Sequence, residues 1–120
     1  MTDELPLLDG NVIDELRASV DGDAEFVNEL VAEYVAEGPR HLAEMRAAAT
    51  AGDATAIVRP AHTLKSNSAT LGATRLAQIC RQIEQDGREG RAEGLAEAVE
   101  SAELTWSETL DQLAVLGLRE

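Results

Sequence analysis

The feature that most constrains the fold is a composition rich in helix-forming residues, which glycine and proline interrupt at intervals. Ala, Leu, Glu and Arg dominate the 120 residues, and β-branched residues never alternate over the length of a strand. Turn signals fall at 21–23, 51–53 and 72, and over the stretch 86–94. The sequence therefore predicts five helices: one over about 9–19, one from after Asp23 to about 49, one opening at Asp53, one over about 74–85 and one over about 92–115.

Apolar residues recur at steps of three and four along each predicted helix, which gives each helix one inward face. Asp23 and Asp53 are expected as N-caps, and Gly38-Pro39 predicts a kink in the second helix. Cys80 is the only cysteine, so an intrachain disulfide is excluded and a buried thiol is expected. We expect the inward faces to consist of Val12, Ile13, Leu16, Phe26, Leu30, Tyr34, Leu42, Met45, Ile57, Ala61, Leu64, Ser68, Leu71, Leu76, Ile79, Cys80, Ile83, Leu95, Val99, Ala102, Trp106, Leu110 and Leu113.

The connections between the later helices are short, which favours antiparallel neighbours. The predicted fold class is all-α: an antiparallel up-down four-helix bundle with an additional short N-terminal helix. At 120 residues and 44% hydrophobic composition, the chain has material for one modest core. We therefore expect a single domain over 1–120, with a flexible N-terminal segment at 1–8 and the helical bundle at 9–116.

The net charge of -13 makes nucleic acid and anionic membranes poor partners, since both require clustered cations. The acidic stretch 1–8 has no continuous apolar run, so it predicts neither a signal peptide nor a transmembrane helix. We expect a cytoplasmic monomer. The excess of Arg over Lys and the abundance of Ala are typical of a GC-rich bacterial genome.

The distribution of charge is more informative than its total. From Ala54 to Ile83 there is no acidic residue, although the chain has 23. The same window holds four of the ten cations, which are Arg59, Lys65, Arg75 and Arg81. Such a window predicts a patch suited to an anionic group.

His62 lies inside this window, on the third predicted helix. The inward stripe of that helix turns His62 toward the flank, where Lys65 and Ser66 share its face. A neutral imidazole nitrogen can attack an acyl phosphate, and a lysine one turn away can neutralise the oxygens of the transferred group. Another protein can approach only if the surrounding side chains are small, as Ser66 and Ala69 are. The second histidine, His41, has no such surroundings and is predicted to be solvated.

The stretch 61–73, AHTLKSNSATLGA, resembles the signature of histidine phosphotransfer (HPt) domains. That signature runs His-x-Leu-Lys-Gly and has a further glycine ten residues after the histidine, which is Gly72 here. The resemblance extends over nearly the whole chain, including the first helix, the turn at 51–53 and a Cys-x-x-x-Glu ending of the fourth helix. One position departs from the signature, because Ser66 stands where the family has glycine.

The resemblance implies that His62 is the phosphoacceptor, through Nε2, and that Lys65 stabilises the phosphoryl oxygens. Glu84 falls where such domains place a glutamate or glutamine that binds Nδ1 of the histidine from the adjacent helix. A carboxylate there would fix the tautomer and keep Nε2 as the free lone pair. The competing interpretation of Glu84 is a solvated charge at a helix end.

The resemblance also implies a carrier without an ATP site, since no nucleotide-binding motif is present. His62 would take a phosphoryl group from a receiver-domain aspartate, or from a hybrid histidine kinase system, and pass it to the aspartate of a response regulator. No intrinsic cofactor is expected, because the partner receiver supplies Mg²⁺. The expected partner-binding residues are Arg59, Ser66, Ala69, Arg75 and Arg81.

Two other functions compete with this one. The first is a non-catalytic helical adaptor that binds a receiver or another signalling partner without accepting phosphate, since family-like folds can lose function. The second is a metal-dependent hydrolase that uses His62 with acidic residues. The acid-free window leaves His62 without ligands nearby in the sequence, which disfavours this second function.

Overall fold

The computed structural model describes residues 5–19 and 24–116, and every regular element within these ranges is an α-helix. The all-α prediction is therefore confirmed. The predicted N-cap Asp23, and positions 1–4 of the N-terminal segment, lie outside the described residues. The helices are α1 (Gly10–Ser19), α2 (Ala24–Ala51), α3 (Ala54–Thr70), α4 (Thr74–Arg88) and α5 (Leu95–Val115).

The four long helices form a closed ring. Helix α3 packs against α2 and α4, and α5 packs against α4 and α2, while the short α1 contacts α2. Consecutive helices that pack together across connections of only a few residues must run antiparallel. The predicted four-helix bundle with a short additional N-terminal helix is confirmed.

The start of α3 is fixed by a side-chain cap. The Asp53 carboxylate accepts a hydrogen bond from the backbone N–H of Ala56 at 3.0 Å, as the sequence predicts. Gly52, with φ of +67°, supplies the left-handed turn that precedes the cap. Together they mark the end of α2 and the start of α3.

The core follows the predicted stripes except on α2, where the prediction that Phe26 faces inward is wrong. Phe26 is 43% exposed, whereas Val27 and Val31 are buried and continue the stripe of Tyr34 and Met45. Phe26 is one residue, or about 100°, away from that stripe on the helix surface. At the start of a helix a single large apolar residue is a poor guide to the rotation of the helix.

Helix α2 continues as α-helix through Pro39, and Gly38 makes room for a neighbour. A Cβ atom at Gly38 would lie 2.1 Å from the indole ring of Trp106 on α5. The same indole packs at a tilt against Tyr34, with 4.9 Å between ring centroids. Gly38 therefore serves the contact between α2 and α5.

Cys80 is completely buried, as predicted, and burial raises the pKa of its thiol to about 12.

In the described part of the chain, no helix combines the length and the apolar character needed to cross a membrane.

Gly87 lies inside α4 and does not begin a loop, so the predicted end of α4 near residue 85 is too early. The helix continues to Arg88, and Gly87 faces the start of α3 at very close range. A Cβ atom at Gly87 would lie 2.7 Å from the carbonyl oxygen of Ala54 and within 3 Å of the side chains of Ile57 and Val58. This glycine allows α3 and α4 to approach each other beside the site described below.

Replacing Gly87 with alanine is expected to lower the free energy of unfolding by about 1–3 kcal/mol, the usual cost of overpacking a core. The higher helix propensity of alanine offsets only part of this loss. Urea denaturation followed by circular dichroism measures the effect. Gly10→Ala is the matched control, because nothing lies within 4 Å of a Cβ atom there. Equal stabilities for the two variants would contradict the close approach of α3 and α4.

Candidate functional site

His62 projects from α3 because its neighbours on that helix face the core. Ile57, Ala61 and Leu64 are completely buried, and Ser68 continues their stripe. His62 lies off this stripe, and its side chain is 53% exposed. An imidazole in this position is held by the bundle and remains accessible to another protein.

A buried carboxylate that faces the imidazole comes from α4. The Glu84 side chain is only 8% exposed, and its Oε2 lies 3.0 Å from Nδ1 of His62. The two residues are brought together by the packing of α3 on α4. Glu84 is thus not a solvated charge at a helix end.

Two cations share the same carboxylate. Nζ of Lys65 lies 2.8 Å from Oε1 of Glu84, in an ion pair whose angles are poor for a hydrogen bond. Arg88 donates from Nε and from a terminal nitrogen to Oε2, at 3.1 and 2.7 Å. The structure therefore brings His62, Lys65 and Glu84 together and adds Arg88 to them.

Sequence reasoning missed Arg88, which lies outside the acid-free window. The available signal was the spacing of Glu84 and Arg88, since residues four apart on a helix can form an ion pair. That spacing is common on solvated helix surfaces. It gains meaning only because Glu84 is buried beside the imidazole.

Two opposing effects set the pKa of Glu84. Burial disfavours the charged form and raises the pKa, but the contacts with Lys65, Arg88 and His62 outweigh it and lower the pKa from 4.5 to about 2. Glu84 is therefore ionised at any physiological pH. An ionised carboxylate only accepts hydrogen bonds, so Nδ1 of His62 carries the hydrogen and donates to Oε2. In the neutral imidazole this leaves Nε2 with a free lone pair.

The lowered pKa of Glu84 makes a prediction about stability. Replacing Glu84 with glutamine is expected to lower the free energy of unfolding at pH 7, because the charge that lowers the pKa also stabilises the fold. The expected loss is only about 1–2 kcal/mol, because solvent screens the partly exposed partners of Glu84. Since the pKa is lower in the folded protein, the contribution is complete above pH 4.5 and is lost as the pH falls toward 2. Urea denaturation of both proteins at several pH values measures this. A difference that persists undiminished at pH 2 would contradict the assignment.

The predicted partner-binding residues differ in how far contacts within the chain hold their side chains. Ser66 and Ala69 are exposed on the same face of α3. Among the described residues, Arg59 and Arg81 form no ion pair or hydrogen bond within the chain, so their charges are available to a partner. Arg75 differs, because its Nε donates to the carbonyl oxygen of Leu5 at 2.9 Å.

Two surface depressions lie beside His62. The first is lined by His62 itself, Arg59, Gly87 and Arg88, together with Thr55 and Val58. The second depression, which we call the α3–α4 depression, is lined by Leu5, Lys65, Ser66, Ala69, Thr74, Ala77, Gln78 and Arg81. Among residues 5–19 and 24–116, no acidic residue lines either depression, so both are suited to an acidic partner.

The prediction that His41 is solvated is wrong. His41 is only 6% exposed and lines a cavity of about 240 Å³ between α2 and α3, with Thr63 and Asn67 on the opposite wall. It shares the inward face of α2 with Tyr34 and Met45, and its charged sequence neighbours concealed this. Its Nδ1 has no hydrogen-bond partner within the protein.

Tyr34 lines the same cavity and is hydrogen-bonded to Ser68 across the buried α2–α3 contact, with 2.7 Å between the hydroxyl oxygens. Burial raises the pKa of the tyrosine far above its ordinary value, and the bond to Ser68 opposes this only in part. Within residues 5–19 and 24–116, no three His, Cys, Asp or Glu side chains come together in an arrangement that could hold a metal ion.

Comparisons with known proteins identify a family and a similar fold. The model of the Hpt domain family matches residues 29–115, which is well over half of the chain. The fold is similar to the crystal structure of histidine-containing phosphotransfer protein B (HptB) from Pseudomonas aeruginosa PAO1. The two are 28% identical, the alignment covers 87% of this chain and 88% of the other, and the TM-score is 0.78. A comparison with curated proteins gave no match. The family match and the shared fold together show that the chain belongs to the Hpt domain family of histidine phosphotransfer proteins.

Proposed function

We propose that this chain carries phosphoryl groups on Nε2 of His62 between aspartates of receiver domains. One observation carries the proposal: an exposed imidazole is held through Nδ1 by a buried carboxylate that stays ionised. This arrangement presents a nucleophilic nitrogen to solvent in a fixed tautomer and orientation. A histidine that only completed a bundle surface would not require such a partner.

In the proposed step, the Nε2 lone pair attacks the phosphorus of an aspartyl phosphate in the partner. The N–P bond forms as the P–O bond to the aspartate breaks, and the aspartate leaves as a carboxylate. Nδ1 keeps its hydrogen, and the positive charge that develops on the ring is stabilised by Glu84. The reverse sequence delivers the phosphoryl group to the next aspartate.

Besides pairing with Glu84, Lys65 would neutralise charge on the phosphoryl oxygens during transfer. Its ammonium lies 2.8 Å from Glu84 and one helical turn from His62, so it can turn toward the phosphoryl oxygens without a backbone movement. Transfer of a phosphoryl group depends on positioning and charge neutralisation more than on covalent help from the protein. Arg88 then remains on Oε2 and keeps Glu84 ionised while Lys65 moves.

Docking would use the charges and the small residues around His62. The unpaired Arg59 and Arg81 suit the acidic pocket of a receiver domain, and rim charges of this kind mainly raise the rate of association. Ser66 and Ala69 let the partner approach closely. The receiver would supply the Mg²⁺ that neutralises the phosphoryl group, and the chain would be a carrier that binds no ATP. A hybrid histidine kinase is a further candidate partner.

The test is to incubate the chain with a receiver domain that carries radioactive phosphate on its aspartate. The expected product is an acid-labile, base-stable label on this chain, which tandem mass spectrometry locates at His62. A label on another residue would contradict the proposed site. Binding of phosphorylated receivers without any label on the chain would favour the adaptor function.

A further inference from the structure

The chain segment before α1 reaches the surface that carries His62. The backbone N–H of Asp9 donates to the carbonyl oxygen of Gly72 at 2.8 Å, and Arg75 holds the carbonyl oxygen of Leu5 at 2.9 Å. Gly72 has a φ of +75°, and a Cβ atom there would lie 3.0 Å from the carbonyl oxygen of Asp9. Residues 5–9, which we call the N-terminal strap, are thus fastened to the corner between α3 and α4.

Leu5 of the strap lines the α3–α4 depression. Leu5 is 37% exposed, and Lys65 and Ser66 line the same depression. Ala69, Ala77 and the unpaired Arg81 also line it. The depression therefore offers an apolar surface with a free positive charge beside it, one helical turn from His62.

Two features of this chain that the matched family core and its signature do not account for meet in this depression. The family model matches residues 29–115, so the strap lies outside the matched residues. Ser66 also lines the depression, and it stands where the family signature has glycine. Residues that distinguish one family member from another, close to a shared reactive group, are well placed to distinguish partners.

We propose that Leu5 and Ser66 form a selectivity surface that chooses among receiver domains. The occupant is a receiver segment that presents an apolar side chain next to an acidic one. The apolar side chain would pack on Leu5, Ala69 and Ala77, and the acidic group would pair with Arg81. This inference rests on the proposed phosphotransfer function and adds to it a basis for the choice of partner.

The test compares Leu5→Asp with the wild type in transfer from phosphorylated His62 to a panel of receivers. The second-order rate constant with the preferred receiver is expected to fall about tenfold, as for the loss of an interface contact together with charge repulsion. The lifetime of the phosphohistidine without a receiver should stay unchanged, because it depends on the imidazole and its own partners. Leu104→Asp is the matched control, since Leu104 is a 64% exposed leucine on α5.

A second variant tests the other half of the surface. Ser66→Gly restores the family residue and is expected to raise the transfer rate with receivers that the wild type disfavours. The difference in rate between preferred and disfavoured receivers should therefore become smaller. Leu5→Ala, with no added charge, should show a smaller loss than Leu5→Asp, and thermal melts confirm that each variant is folded.

The outcomes separate this inference from the proposed function. A loss with Leu5→Asp but not with Leu104→Asp supports the selectivity surface. Equal rates for Leu5→Asp and the wild type, or equal losses for the two aspartate variants, overturn it while His62 remains labelled. Absence of label on the wild type overturns both proposals.

Discussion

Replacing His62 with glutamine is expected to abolish acceptance of phosphate from a phosphorylated receiver and to leave the fold intact. The glutamine amide has no nucleophilic lone pair comparable to that of an imidazole nitrogen, so no N–P bond can form. The side chain is 53% exposed and belongs to no core stripe, so unfolding should be little affected. Transfer of radioactive phosphate and circular dichroism measure the two effects.

The chain offers its own control, because it contains a second histidine. His41→Gln alters a buried residue on α2, on the far side of α3 from Glu84, and should keep the label at His62. Binding of the receiver to His62→Gln should persist, since the docking charges are unchanged. Equal labelling of His62→Gln and the wild type would show that another residue accepts the phosphate.

The helical periodicity predicted the bundle because each helix buries a continuous stripe, and such stripes can be read from spacing alone. Gly87 shows where this reasoning fails. Glycine normally signals a turn, but here it is a point of close contact between α3 and α4. Its role depends on the distance between two helices, which local sequence does not contain.

The same distinction applies to the site: proximity within one helix could be predicted, and contacts between helices could not. His62, Lys65 and Ser66 share one helix, so their proximity follows from helix geometry. Glu84 is 22 residues away on α4, and its candidacy depended on the family resemblance because its contact with His62 requires two helices in register. Arg88 and the buried His41 escaped prediction because charged sequence neighbours made both look like solvated surface residues.

Replacing Glu84 with alanine is expected to slow transfer to and from His62 by roughly a hundredfold, the scale of losing a positioned acid-base partner. Three effects combine: the imidazole loses its fixed orientation, the tautomer with hydrogen on Nε2 becomes populated, and the charge that develops on the ring loses its counterion. Rapid-quench measurements of transfer with one receiver give the rate constants. Glu37→Ala is the control, since Glu37 is also paired with an arginine but is partly exposed on α2.

Glutamine at position 84 separates orientation from charge. Its amide oxygen can still accept from Nδ1–H, so orientation and tautomer are retained and only the charge is lost. If orientation dominates, Glu84→Gln should keep most of the activity that Glu84→Ala loses. If charge dominates, the two variants should be equally slow, because Glu84 of the wild type stays ionised far below neutral pH. Full activity in both variants would remove Glu84 from the phosphotransfer mechanism and leave it as a structural partner of Lys65 and Arg88.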